Sequence, residues 1–306
     1  MTSPLGTLVR AVIGCSDLPR TGEIFAGLGF DEVARGELDA SSAQALYDLE
    51  TPLRERDFAV PGSAGGGIRL VATPRPPRAA GAFDHRPLAL DLYTRDIERS
   101  LSLAKSLGAT PGTIVDYDLG ELMVREAESR WRDGLRLVFL QANRRRPSAL
   151  DASPDRQHSE VHSVVFTLPS VDRALATWHD LAGLQVLNDA RIEGPILSTM
   201  LDLPRPQVPV RFALLGNRAA SPARLELIEF PEDTGSWPAG EGLAAGLHAA
   251  TFEVENLETA MAALSTCQLR TPTRVASGIQ PGARRVAGWD PAGVRFELWE
   301  SFVEEA

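Results

Sequence analysis

The hydrophobic pattern of the chain switches between a strand period and a helix period, and it does so four times. His162-Ser163-Val164-Val165-Phe166-Thr167-Leu168 is apolar and β-branched, as a buried strand is. Pro169 breaks the run and Ser170 is placed to cap a helix. Val171, Ala174, Leu175, Trp178 and Leu181 then fall at three- and four-residue steps on one face, ahead of Gly183. The same order recurs over 248–264, with Asn256 as the cap and Leu257, Ala260, Met261 and Leu264 as the apolar face. Earlier, residues 8–13 lead into Asp17-Leu18 and a helix ending near Gly29, and residues 88–93 into Asp96-Ile97 and a helix ending near Gly108. Each copy closes on a strand of its own, at 68–71, 135–138, 224–227 and 294–298, and the span before it leaves room for two further strands. The pattern predicts an α+β chain of four βαβββ modules.

The polar stretch 143–160, rich in Arg, Pro, Ser and Asp, reads as the main boundary. It predicts an N-terminal pair of modules over 1–143, a linker over 144–160 and a C-terminal pair over 161–306. A shorter loop with Pro231, Gly235, Pro238 and Gly240 divides the third module from the fourth. A chain of 306 residues suits two domains at about 150 residues each. It holds no apolar run long enough to span a membrane and opens on no basic, then apolar, leader. Its two cysteines, Cys15 and Cys267, lie far apart, which argues against a disulfide framework and fits a reducing cytoplasm. The net charge of −10 argues against nucleic acid as a partner, so Arg144-Arg145-Arg146 beside Pro147 reads as a solvated linker.

Superposing the four copies on their helix starts brings out the candidate chemistry. At one first-strand position the last two copies carry His162 and His248, where the first two carry Val9 and Leu88. In the closing strands the last two copies carry Glu226 and Glu297, and the expected equivalents are Val71 and Val138. Leu225 and Leu227 flank Glu226, and Phe296 and Leu298 flank Glu297, so each carboxylate faces away from its apolar neighbours. A buried carboxylate needs a partner, and a divalent cation held by two imidazoles and two carboxylates would satisfy both. Such a set suits Zn, Ni, Co, Mn or Fe(II) without choosing among them. His85, His158 and His179 share no repeat position and read as surface residues.

The run Asp290-Pro291-Ala292-Gly293-Val294-Arg295-Phe296-Glu297-Leu298 resembles the D-P-x-G-x-x-x-E-L ending of the vicinal oxygen chelate superfamily. That group includes glyoxalase I, methylmalonyl-CoA epimerase, extradiol dioxygenases and bleomycin-binding proteins. The resemblance implies two paired-module domains, each a curved mixed sheet with helices on the outside. It implies one metal on His162, Glu226, His248 and Glu297, with Glu226 or Glu297 also moving a proton. The function it implies is a metal-dependent lyase or isomerase, acting on a small substrate with vicinal oxygens through a metal-stabilised enolate.

Two alternatives stand beside it. An extradiol ring-cleavage dioxygenase would use His162, His248 and Glu297, but Ala287 stands where those enzymes carry a tyrosine and 278–280 offers no histidine. A non-catalytic binding protein, of the kind that sequesters an antibiotic such as bleomycin, would need no metal. Asp202 is a further candidate base, and Arg284, Arg285 and Trp289 are candidates for gripping an anionic or flat substrate. The expected partner is a small molecule, the expected assembly a monomer or homodimer.

Overall fold

A computed structural model describes residues 3–217, 223–231, 235 and 242–300; Pro238 and Gly240 of the loop between the third and fourth modules lie outside the described residues. The first module runs β1 (Leu8–Cys15), α1 (Leu18–Gly27), β2 (Asp31–Leu38), α2 (Ala40–Tyr47), β3 (Leu53–Ala59) and β4 (Gly67–Ala72). The second runs β5 (Pro87–Thr94), α3 (Ile97–Ser106), β6 (Thr110–Pro111), β7 (Val115–Leu119), β8 (Leu122–Arg130) and β9 (Arg136–Ala142). After the short α4 (Ala149–Ala152), the third runs β10 (His158–Thr167), α5 (Val171–Leu175), β11 (Gln185–Ile192), α6 (Pro195–Met200), β12 (Val210–Gly216) and β13 (Arg224–Glu229). The fourth runs β14 (Gly246–Val254), α7 (Leu257–Ala263), β15 (Gln268–Leu269), β16 (Thr273–Arg274), β17 (Arg284–Trp289) and β18 (Arg295–Glu300).

Local chemistry sets the repeated helix starts. Asp17, Asp96, Ser170 and Asn256 each accept a hydrogen bond from the backbone N–H three residues on, satisfying an orphan donor of the first turn. In three modules the end of the closing strand adds a second cap: Gln141, Glu229 and Glu300 accept from the N–H groups of Ile97, Val171 and Leu257 at 2.9, 2.7 and 2.9 Å. The expected face of the third helix fails at one point. A π-turn over Ala176–Leu181 adds a residue to the turn, so Trp178 is fully buried while Leu181 is 45% exposed.

The modules do not pair in chain order. The first joins the fourth, with β1 antiparallel to β14, and the second joins the third, with β5 antiparallel to β10. Sheet A is therefore built from the outer modules and sheet B from the inner ones. The predicted division into 1–143 and 161–306 is corrected on this point. Residues 144–160 connect two modules of one sheet, and the crossings between sheets are 73–86 and 230–245. Polarity marks an exposed connection but not which strands it joins. Where β1 and β14 begin to pair, a Cβ on Gly14 would stand 2.0 Å from the Ala244 carbonyl oxygen, so only glycine fits there.

The helix-bearing outer faces of the two sheets meet in one continuous core, which takes in Phe25, Ile97, Trp178 and Leu257 from four helices. Trp178 stacks on Phe252 and meets Phe296 edge-on, and its Nε1 donates to Asp290 at 2.8 Å, tying the third module to the fourth. The opposite face of each sheet carries its own smaller cluster, around Val12, Leu46 and Tyr47 in sheet A and around Leu88, Val165 and Met200 in sheet B.

Candidate ligand site

The core between the sheets decides where the predicted ligands go. His162 and Glu226 stand on β10 and β13 in sheet B, and His248 and Glu297 on β14 and β18 in sheet A. His162 and Glu226 line one cavity, and His248 lines another. The four residues are not brought together, because modules three and four belong to different sheets. The His162, His248 and Glu297 triad is split in the same way.

Sheet B holds a cavity of 380 Å³. Leu88, Val138, Val165, Leu197, Met200 and Phe212 give it an apolar wall. Asp91 on β5, Glu126 on β8 and Glu226 on β13 converge at its polar end. Burial raises the pKa of all three. Asp91 is raised well above the ordinary carboxylate range, by burial first and by the Glu226 and Glu126 charges after it. Glu226 is raised by burial and eased by a hydrogen bond from Asp91. The two titrate as a coupled pair and share a proton between them. Glu126 is pushed up to about 7 by burial, against a hydrogen bond from Tyr117.

His162 is not turned toward a metal. Arg224 Nη1 donates to its Nε2 at 3.0 Å, so its Nδ1–H donates to Ser163 Oγ at 2.7 Å. Burial and the Arg224 charge hold the imidazole neutral, far below its ordinary pKa. The Tyr93 ring meets it edge-on at 4.0 Å between centroids. Arg144, Arg145 and Arg146, expected in a solvated linker, line the same cavity.

Sheet A answers the equivalent positions differently. The parallel pairing places Glu297 beside Thr251, Glu226 beside Val165, Val138 beside Asp91, and Arg69 beside Val12. The first-module equivalent of Glu226 is therefore Arg69 and not Val71. Arg69 is fully buried and binds Asp57 in a fork, at 2.8 and 2.9 Å, with Arg10 on the same carboxylate at 2.6 Å. Arg285, also fully buried, reaches Glu55 at 3.7 Å and donates to the Ile279 carbonyl at 2.7 Å. The guanidinium carbons of Arg10, Arg69 and Arg285 lie 4.7, 4.4 and 4.7 Å from the Trp299 ring centre. Glu297 is buried without a hydrogen bond to either oxygen. Burial raises its pKa, and Arg69 and Arg285 supply the opposing attraction.

Of the remaining candidates only Leu88 lines the cavity. Val9 is half-buried and Leu88 is buried. Asp202 is exposed and faces Arg130 at 3.5 Å. Arg284 pairs with Glu258 and Glu300 on the surface of β17. Trp289 is half-buried on the same strand and outside the cavity. His179 is exposed and His85 half-buried, whereas His158 is buried, with Ser100 at 2.9 Å and the Leu28 carbonyl at 3.2 Å. Asp91 and Glu126 were missed. Asp91 stands alone in the apolar run Leu88-Ala89-Leu90-Asp91-Leu92-Tyr93, the same signal that marked Glu226, but without a repeat partner.

No protein-family model matches the sequence and no curated protein matches it, so likeness rests on three-dimensional structure. The chain superposes on glyoxalase I from Zea mays with a TM-score of 0.61 at 14% identity, over 95% of this chain and 91% of that one. A candidate dioxygenase from Bacillus subtilis superposes with a TM-score of 0.62 at 10% identity, over 98% of this chain and 86% of that one. The likeness is one of fold: four βαβββ modules, paired in two mixed sheets, as in these glyoxalase-like structures.

The donor sets do not fit the metal expected of a vicinal oxygen chelate enzyme. In sheet B two of the four ligand positions are Leu88 and Val138, and the His162 lone pair is already given to a cation. In sheet A, Arg69 takes one position and stands with Arg285 around Glu297, where a divalent ion would meet like charge. Among the described residues no three His, Cys, Asp or Glu side chains are grouped to hold a metal ion. No helix among them is long and apolar enough to cross a membrane.

Proposed function

We propose that the chain binds a small molecule in the sheet B cavity, without a four-ligand metal, and that the ligand carries an apolar or aromatic body and a hydrogen-bond-donating head. The observation that carries this reading is the polar end of the cavity, where three desolvated carboxyl groups face an otherwise aliphatic wall. A volume of 380 Å³ falls within the range of small-molecule sites. Of the cations that line the cavity, Arg224 is engaged by His162, Arg144 by Glu121 and Arg145 by Asp151, and none of the three carboxyl groups has an ion pair among the described residues. An amine or hydroxyl on the ligand supplies what is missing. A protonated amine would also re-ionise Asp91 and Glu126, releasing protons as it binds. The metal-dependent lyase or isomerase, and the dioxygenase, both need imidazoles that this fold places in separate sheets.

A second reading is favoured by the shared proton. Asp91 and Glu226 form an acid–base pair within one cavity, able to move a proton on a bound ligand. Glu226 keeps the catalytic role expected of it in this reading, and Glu297 does not.

Calorimetry in two buffers of different ionisation enthalpy tests the proposal, using arylalkylamines with their matched alcohols and carboxylates. Amines are expected to bind with proton release, and Glu226→Gln to weaken them by about tenfold or more, as for a lost charge-assisted bond. Tighter binding of the carboxylates would overturn the ligand class. One-to-one binding of Zn, Ni, Co, Mn or Fe(II), lost in Glu226→Gln and in His162→Ala, would restore the metal reading.

A further inference from the structure

A second cavity, of 430 Å³, runs between the sheets and shares no lining side chain with the sheet B chamber. Its walls come from the crossing segment at 77–80 and 86–87, from the β8–β9 turn, and from 242–248 together with Arg295. The described walls present Arg78, Arg86, Arg130, Arg132, Arg136 and Arg295 beside His248, and no carboxylate lines them. Glu128, behind the wall, holds Arg136 at 3.1 Å and pairs with Arg130, which also faces Asp202 at 3.5 Å. Arg86 has no side-chain hydrogen bond or ion pair among the described residues. Burial and the neighbouring Arg136 charge push it down to about 10. Arg132 is exposed at the mouth, also without such a partner among the described residues.

We propose that this cleft binds a phosphate-bearing small molecule, of the phosphomonoester or pyrophosphate class. Half-buried guanidinium groups that repel one another are held together only if something anionic comes between them. Arginine presents paired N–H donors that match the oxygens of phosphate. Arg86 and Arg132, which neither Glu128 nor Asp202 pairs, call for more than one negative charge, which a monocarboxylate does not bring. A cleft of 430 Å³ has room for one or two phosphate groups and a small body, and the chain charge of −10 opposes a long polyanion. Because the walls belong to both sheets, a bound anion would clamp them to each other.

Titration calorimetry of the full chain with inorganic pyrophosphate tests this. A single saturable site is expected, weakened by added salt and accompanied by a rise in melting temperature. Arg132→Gln, on the surface, is expected to bind about three- to tenfold more weakly, and Arg86→Gln about tenfold or more, while Arg54→Gln, at an exposed position of β3, binds as wild type does. Absence of saturable binding, or equal affinity in Arg132→Gln and wild type, would overturn the proposal. Should Arg86→Gln fail to fold, the exposed Arg132 carries the test.

Discussion

Sheets A and B share one topology and have resolved the same inner face in opposite ways. In sheet A the inner positions hold arginines against carboxylates, with Arg10, Arg69 and Arg285 set around Asp57, Glu55, Glu297 and the Trp299 ring. In sheet B the inner positions hold carboxyl groups with no ion pair among the described residues, and a cavity of 380 Å³ stays open above them. A buried carboxylate can be kept by pairing it or by protonating it, and the two sheets illustrate one solution each. Paired charges fill most of sheet A, although Glu297 stands among its arginines without a hydrogen bond. Protonated ones leave sheet B with hydrogen-bonding capacity to spare.

The largest effect that would break this contrast is Arg69→Met. It removes the fork on Asp57 in a fully buried place and should lower stability by about 3–5 kcal/mol in urea melts. Ligand binding in sheet B should be unchanged in the same protein. A loss under about 1 kcal/mol would mean that the sheet A charges are not acting as a closed set.

Next in size is the pH dependence carried by Glu126. Its pKa is raised to about 7 from an ordinary 4.5, so the folded chain binds a proton that the unfolded chain gives up. Stability therefore falls as pH rises from about 4.5 to about 7, and is flat beyond, a difference of about 3–4 kcal/mol at about 1.4 per unit. Glu126→Gln should remove that slope. Parallel curves for variant and wild type between pH 5 and pH 8 would show that Glu126 is not held neutral.

The smallest contrast is between Leu88→Ala and Val9→Ala. Leu88 is buried in the sheet B wall and should cost about 2 kcal/mol, reduced from a full core truncation by the open space beside it. Val9 is half-buried and should cost under about 1 kcal/mol. Equal losses would place both in closed cores and undo the distinction drawn between the sheets.

What was legible in the sequence was local. The caps at Asp17, Asp96, Ser170 and Asn256 depend on hydrogen bonds three residues away, and all four form. The module pairing depends on strands far apart in the chain, such as Leu8 with Phe252 and Leu90 with Val164, and no periodicity reports it. Alternation is also blind to a slip of two, because Arg69 and Val71 point to the same side of β4, so Val71 was matched to Glu226 where Arg69 belongs. The repeat marked His162 and Glu226 as special, but the partner of His162 is Arg224, two residues before Glu226 on the same strand and unreadable from spacing.

The outer modules enclose the inner ones in the chain as brackets enclose a phrase. Leu8 finds Phe252, whereas β5 finds β10 with only the rest of the second module and α4 between them. During synthesis sheet B has all its strands while β14 is still unmade, and β1 leaves the ribosome with an edge that only the last module covers. The first module therefore waits through most of translation for its partner. Such late closure is slow and prone to wrong pairing, so the step that limits folding belongs to sheet A and not to the sheet that holds the cavity.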